Sequence, residues 1–150
     1  MERTLIIIKP DAVQRGLVGE IIRRFEARGL RIAGMKFMQI SRELAERHYQ
    51  EHKDKKFYEP LLTYITSAPV VVMVLEGRAA VEAARNTIGK TDPIEAAGGT
   101  IRGDLGMEKG RNLVHGSDSV ESAEREVNLF FSPEELIAWQ RDTERWIFEG

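Results

Sequence analysis

Two stretches of the chain are apolar at nearly every position, and between them apolar residues recur at spacings of three to four. Thr4 to Ile8 reads TLIII, and Pro69 to Leu75 reads PVVVMVL. Runs without a polar break predict strands covered on both faces, because successive side chains of a strand point to opposite sides. Lys9-Pro10-Asp11 stops the first run and so holds Lys9 at a strand end, and Glu76-Gly77 closes the second. Leu17, Val18, Ile21, Ile22 and Phe25 recur at helical spacing with charges between them and Gly29 as a stop, which predicts an amphipathic helix. Leu30 to Ile40 returns to the looser alternation of a strand. Ser41 ahead of Glu43, Leu44 and Ala45 predicts a capped helix carrying His48 and Tyr49. A second helical stretch, from about Glu59 to Thr66, follows the charged segment His52 to Lys56. Ala80, Val81, Ala84 and Ile88 mark the inner face of another helix that ends at Gly89. Arg85 lies in its last turn, where a cation suits the helix dipole.

Between Gly89 and Gly110 the periodicity disappears. This segment holds six glycines and one proline, and an unstructured loop of such length inside a compact domain usually serves function. Leu113-Val114 is a brief strand candidate. Asp118, with Glu121 three residues on, predicts the N-cap of a helix from Ser119 to Leu129, and Ser132-Pro133-Glu134-Glu135 starts one more short helix. The order is thus β, α, β, α, α, β, α, loop, short β, α, in a single domain over residues 1–150. Two crossovers with a meander between them predict an α/β (α+β) sandwich on a four-stranded antiparallel sheet, the ferredoxin-like arrangement, with helices on one face. A small doubly wound sheet gives a similar string. The two differ in whether the strands at residues 4–8 and 70–75 run parallel as neighbours.

Composition narrows the chemistry. With 22 basic against 24 acidic residues the net charge is -2, so nothing draws the whole chain toward nucleic acid or an anionic membrane, and an anion site must be built locally. The chain has no cysteine, which removes disulfides, thiol nucleophiles and sulfur-ligated zinc. Its 150 residues suffice for one core, and Glu2-Arg3 followed by five strand-type residues is far short of a signal peptide or a spanning helix. A cytoplasmic location is expected.

The stretch Asn112 to Glu126, NLVHGSDSVESAERE, places one imidazole, His115, at a strand-to-helix corner. Histidine can form a labile covalent intermediate near neutral pH, and Ser117 and Glu126 are near enough in sequence to orient the ring. A structural histidine at a corner is the plainer alternative. Lys9 at a strand terminus, Arg85 at a helix end, and Thr91 and Arg102 in the glycine-rich loop could converge on a triphosphate. Taken singly, Lys9 also reads as a solvated strand end, Arg85 as a dipole-compensating surface residue, and Arg102 as half of a loop ion pair with Asp104. Glycines 98, 99, 103, 106 and 110 would let backbone amides approach an anion, yet they match neither GxxxxGK[ST] nor GxGxxG. Phe57, in polar company, could stack on a base, with its neighbour Tyr58 facing the core. His48 and His52 lie one helical turn apart, but without a third ligand nearby a solvated helix face is the better reading.

Along essentially its whole length the sequence resembles the nucleoside diphosphate kinase family. The resemblance rests on TLIIIKPDAVQRGLVGEII, HYQEHKDKKFY, TIRGD and GRNLVHGSDSVESAEREV, the last carrying the family's NxxHGSD signature with a downstream glutamate. It implies a reversible ping-pong exchange in which a nucleoside triphosphate such as ATP donates its γ-phosphoryl group to His115 and a nucleoside diphosphate collects it. Lys9, Tyr49, Phe57, Arg85, Thr91, Arg102, Asn112, His115, Ser117 and Glu126 fall on family functional positions with the expected residue types. The resemblance implies that Phe57 stacks on the base, Lys9 and Asn112 hold ribose hydroxyls, and Arg85, Thr91 and Arg102 bind phosphates. Tyr49, Ser117 and Glu126 would support the imidazole, phosphorylated on Nδ1. Mg²⁺ would be held mainly by the nucleotide phosphates, with no protein metal ligand. Homo-oligomers are implied, a hexamer ahead of a tetramer, with no membrane partner and no requirement for nucleic acid.

Departures from the family pattern are small. Gly98 stands in AGGTIRGD where proline is usual and should loosen the loop, Lys109 stands where an apolar residue often closes the base slot, and Asp92 precedes Pro93 where asparagine is common. Attack needs a neutral imidazole, so activity should fall in acid. The rival expectations are a non-catalytic ferredoxin-like regulator that binds nucleotides or nucleic acid, and a different phosphohistidine enzyme such as a carrier or mutase.

Overall fold

In the computed structural model, which describes residues 1–150, the N-terminal apolar run forms β1 (Glu2–Ile8), with Leu5, Ile6, Ile7 and Ile8 fully buried. The second run forms β3 (Val70–Gly77), buried at every position and extending through Glu76-Gly77. These two are the central strands of a four-stranded sheet, in which β2 (Arg31–Met38) flanks β3 and β4 (Val114–Gly116) flanks β1. All three pairings are antiparallel, with Ile6 opposite Met73. The antiparallel pairing of β1 with β3 excludes a doubly wound sheet.

The helices are α1 (Pro10–Gln14), α2 (Val18–Arg28), α3 (Arg42–His48), α4 (Tyr58–Ile65), α5 (Ala80–Ile88), α6 (Ile101–Leu105) and α7 (Val120–Phe130). They cover both faces of the sheet, contrary to the expected single face. Ile6 and Ile8 pack with Phe25 of α2 and Ala84 and Ile88 of α5. Leu5 and Ile7 pack on the other side with Ala45 of α3, Leu62 of α4, and Val127 and Phe130 of α7. Two faces of consecutive isoleucines need two layers of cover, at roughly 1.5–3 kcal/mol of burial for each large side chain. No helix is long and apolar enough to cross a membrane.

Helix ends follow local rules with one correction. Gly29 closes α2 at φ 107°, and Ser41 Oγ accepts from the Leu44 N–H at the start of α3. The N-cap of α7 is Ser119 rather than Asp118: its Oγ accepts from the Ser122 N–H at 3.0 Å. Asp118 thereby stays free for another partner.

The segment between Gly89 and Gly110 is not wholly irregular, since it contains α6. Five residues with a central glycine carry no readable period, but Thr100 Oγ1 caps the helix by accepting from the Gly103 N–H at 3.0 Å. A Cβ at Gly103 would lie 2.0 Å from the Ala97 carbonyl oxygen, whereas one at Gly98 would meet nothing within 4 Å. Gly103→Ala is therefore expected to cost about 1–3 kcal/mol or more, as overpacking against a fixed backbone does. Gly98→Ala should stay within about 0.5 kcal/mol of the parent. Chemical denaturation of the two variants side by side checks both; equal midpoints would show that the loop moves aside freely.

Candidate active site

The last residues of β1 and the whole of β4 set the position of His115. His115 lies opposite Ile7, on the face of the sheet covered by α3, α4 and α7. Just before it Leu113, fully buried, holds φ at 76°. A left-handed leucine costs on the order of 1–2 kcal/mol and persists only where its surroundings fix it. Here Asp11 Oδ2 accepts from the Leu113 N–H at 3.1 Å, and the Leu113 carbonyl accepts from the Lys9 N–H at 2.9 Å. The short β4 is thus tied to the turn that ends β1.

The imidazole is held from beneath. Glu126, buried on α7, accepts at Oε1 from His115 Nε2 at 2.8 Å and from Ser117 Oγ at 2.9 Å, and Ser117 Oγ accepts from the Leu5 N–H at 3.1 Å. Burial pushes the Glu126 carboxyl up, but the hydrogen bond from His115, the charge of that ring when it is protonated, and the Ser117 hydroxyl outweigh it and hold the group below the ordinary glutamate range. A carboxylate accepts only, so Nε2 carries the proton and Nδ1 is left as the lone-pair nitrogen.

Above the ring opens a cleft of about 600 Å³ whose wall includes Lys9, Tyr49, Phe57, Arg85, Thr91, Arg102, Asn112 and His115. Every nucleotide-site residue expected from the sequence therefore reaches one cavity, and Ser117 and Glu126 lie under its floor. Lys9 Nζ donates to Asn112 Oδ1 at 2.9 Å, and Asn112 Nδ2 donates to the Thr91 carbonyl at 3.2 Å, which connects the strand end to the glycine-rich loop. Burial and the neighbouring Arg102 charge pull Lys9 down to about 8, with Asp11 opposing. Arg102 makes no ion pair with Asp104, which instead accepts from Arg24 at 2.7 Å. Its guanidinium donates to the carbonyls of Asn112, Gly89 and Val114 at 3.1, 3.2 and 2.6 Å, leaving two of its five N–H bonds unspent. Burial and then Arg85 lower its pKa to about 10, which keeps it cationic at neutral pH. Arg85 reaches Asp118 at 2.7 Å across solvent, a pair worth about 0–1 kcal/mol that an anion can displace. Phe57 is 50% exposed at the mouth, while Tyr58 packs toward the core.

Several residues of the site carry no sequence signal. Tyr64 on α4 donates to Asp11 and lies under the Arg111 guanidinium, 4.6 Å from its centroid. Asp11 reads only as a strand stop, although it steadies both Tyr64 and Leu113. His48 corrects an expectation: it is 4% exposed rather than on a solvated face, with its ring edge-on to His115 at 4.9 Å and to Phe130 at 5.3 Å. Burial, followed by the His115 charge, pushes it down to about 3, so it is neutral.

The cleft wall holds one carboxylate, Asp118, and Arg85 occupies it. A hard cation such as Mg²⁺ seeks six oxygen ligands, so it fits here only if a bound ligand and water bring most of them. An anion fits directly.

Residues 2–136 match the family model described as nucleoside diphosphate kinase. The chain is 61% identical over 149 residues to the nucleoside diphosphate kinase of Pelotomaculum thermopropionicum, covering 99% of this chain and 100% of that one. It is 61% identical over 150 residues to that of Staphylococcus carnosus, with both chains covered in full. Among solved structures, a nucleoside diphosphate kinase from Halobacterium salinarum in complex with CDP superposes with a TM-score of 0.96 at 51% identity, covering 99% of each chain. A nucleoside diphosphate kinase family protein from Babesia bovis superposes with the same score at 49% identity, covering 99% of this chain and 100% of that one.

Proposed function

Since the chain belongs to the nucleoside diphosphate kinase family, we propose that it moves the γ-phosphoryl group of a nucleoside triphosphate to a nucleoside diphosphate in two half-reactions through a phosphohistidine at His115. One observation carries this reading: Glu126 engages Nε2 at 2.8 Å, so Nδ1 is the free nitrogen in a cleft lined by Lys9, Arg85 and Arg102. The Nδ1 lone pair attacks the γ-phosphorus as the bond to the bridging oxygen breaks, and the diphosphate leaves with that electron pair. Positive charge developing on the ring is met by the Glu126 carboxylate through Nε2–H, which Ser117 keeps in place. The second half-reaction reverses these steps onto a different diphosphate. The N–P bond keeps the transfer potential of the donor, which a serine ester would not.

Phe57 offers a half-exposed face for stacking, and stacking reads no base edge, so purines and pyrimidines are both accepted. Lys9 and Asn112 hold ribose hydroxyls, and Arg85, Thr91 and the two spare N–H bonds of Arg102 take the phosphates. Tyr49 Oη, buried without a hydrogen-bond partner, is available to the phosphoryl group on the ring. Brought in with the nucleotide, Mg²⁺ would supply neutralisation of phosphate charge, since the one carboxylate of the cleft wall, Asp118, is paired with Arg85.

A pH effect follows from Lys9. With a pKa near 8 before nucleotide binds, much of it is neutral above that pH, and an anionic nucleotide favours the charged form. Binding above pH 8 is expected to take up a proton and to weaken as pH rises further. Calorimetry in buffers of different ionisation enthalpy checks this; no proton uptake at pH 8.5 would contradict it.

A homo-oligomer completes the reading, a hexamer ahead of a tetramer. Met35 and Phe37 on the outer strand β2 are 46% and 67% exposed, two apolar side chains that a second copy would cover. Light scattering distinguishes six from four times the 17.0 kDa chain mass. A cytoplasmic location is proposed with it, compatible with a chain lacking cysteine.

The reaction itself is tested by incubating the protein with γ-labelled ATP and Mg²⁺. Acid-labile, base-stable label that GDP chases into GTP is expected. Nucleotide binding without label would overturn the phosphohistidine and leave a binding-only regulator.

A further inference from the structure

Beneath the cleft, three potential ligand groups meet: the rings of His48 and His115 and the carboxylate of Glu126, whose donor atoms all lie within 4.8 Å of one another. His48 is 4% exposed and both its ring nitrogens lack a hydrogen-bond partner. A buried polar group left without a partner destabilises the fold unless something meets it. Two imidazoles and one carboxylate are the donor set of borderline cations such as Zn²⁺, and a poor one for Mg²⁺. Side-chain rotations of about an ångström would bring the three atoms to the roughly 2.0–2.2 Å bonds zinc requires.

We propose that His48, His115 and Glu126 form an inhibitory site for Zn²⁺, reached through the cleft, whose occupation switches off the nucleophile. This inhibitory role rests on the phosphohistidine reading above. In the metal-free ring Nε2 carries the proton and Nδ1 the lone pair. Zinc bonds through a lone pair at Nε2, so the ring keeps its single proton by carrying it on Nδ1, and no lone pair faces the cleft. His48 contributes one ring-nitrogen lone pair, Glu126 a carboxylate oxygen given up by the Nε2 contact, and water the fourth position. The ring remains neutral throughout; only its tautomer changes. Zinc, held by this nitrogen-rich set beneath the cleft, would therefore not compete with magnesium brought in by a nucleotide.

The test begins without nucleotide. Zn²⁺ is titrated into the full-length protein in the presence of excess Mg²⁺ against a chromogenic chelator, and Co²⁺ is used as a spectroscopic probe. One equivalent bound with tetrahedral cobalt bands is expected in the parent, with at least about tenfold weaker binding in His48→Phe and His48→Gln. Nitrogen NMR of the parent should show a ring nitrogen of both His48 and His115 shifting on zinc addition, a readout that survives if neither variant folds. Label transfer from γ-labelled ATP should then be blocked by one equivalent of zinc in the parent and persist in the His48 variants. Zinc binding that leaves the His48 resonances in place, or equal inhibition of parent and variants, would overturn the site. Zinc binding to a protein that never takes label with Mg²⁺ alone would instead overturn the phosphohistidine and leave the metal site standing.

Discussion

Replacing His115 with alanine is expected to lower phosphoryl transfer by a factor of about 10⁴ or more, the range seen when a covalent nucleophile is removed. Nucleotide binding should survive, because Lys9 is fixed by Asn112 at 2.9 Å, and Arg102 by three carbonyls, with no help from the ring. The fold should survive as well, at a cost of about 1–3 kcal/mol, since Glu126 loses one donor but keeps Ser117 at 2.9 Å. Rapid-quench labelling together with fluorescence titration of a nucleotide checks both halves. Lost transfer with intact binding fits the account. Lost binding would mean that the ring organises the cleft rather than attacking within it.

Arg102→Ala is expected to damage stability and activity together. Its guanidinium satisfies the carbonyls of Gly89, Asn112 and Val114, which join the end of α5, the loop and β4. A hydrogen bond from a charged donor is worth about 1.5–3 kcal/mol and the three are not additive, so a loss of roughly 3–5 kcal/mol is expected. Removal of its two remaining donors from the phosphates should lower kcat/KM by about 10²–10³ in the protein that still folds. Arg102→Lys should rescue little, because one ammonium cannot span three carbonyls fixed by a planar fork. Denaturation midpoints and steady-state kinetics of the two variants provide the check. An unchanged midpoint for Arg102→Ala would show that water satisfies those carbonyls.

Elements with strong, uninterrupted signals were legible in the sequence. TLIII and PVVVMVL became the two central strands, and the amphipathic spacing from Leu17 to Phe25 became α2 with its Gly29 stop. The same isoleucine run that announced cover on both faces also argued against placing all helices on one, and the structure follows the run. Signals that depend on a single residue failed where neighbours competed. Asp118 and Ser119 are both good caps, and Ser119 takes the role by accepting from the Ser122 N–H, which leaves Asp118 to meet Arg85. Five-residue α6 has too few turns to show a period, and Gly103, which reads as a place where a backbone amide can approach an anion, is required by the approach of Ala97. Candidate site residues lay in contiguous motifs and gather around one cleft. Tyr64, Asp11 and His48 are brought there by tertiary packing alone, so helical spacing could not distinguish buried His48 from a surface residue.

The chemistry proposed for His115 turns on one atom, Nδ1. Reacting the nitrogen-15-labelled protein with one equivalent of ATP and Mg²⁺, then measuring phosphorus–nitrogen coupling, identifies where the phosphoryl group rests. It should be on Nδ1 of His115, with Nε2 still protonated against Glu126. Phosphorus on Nε2, on Ser117 or on another histidine would contradict the account.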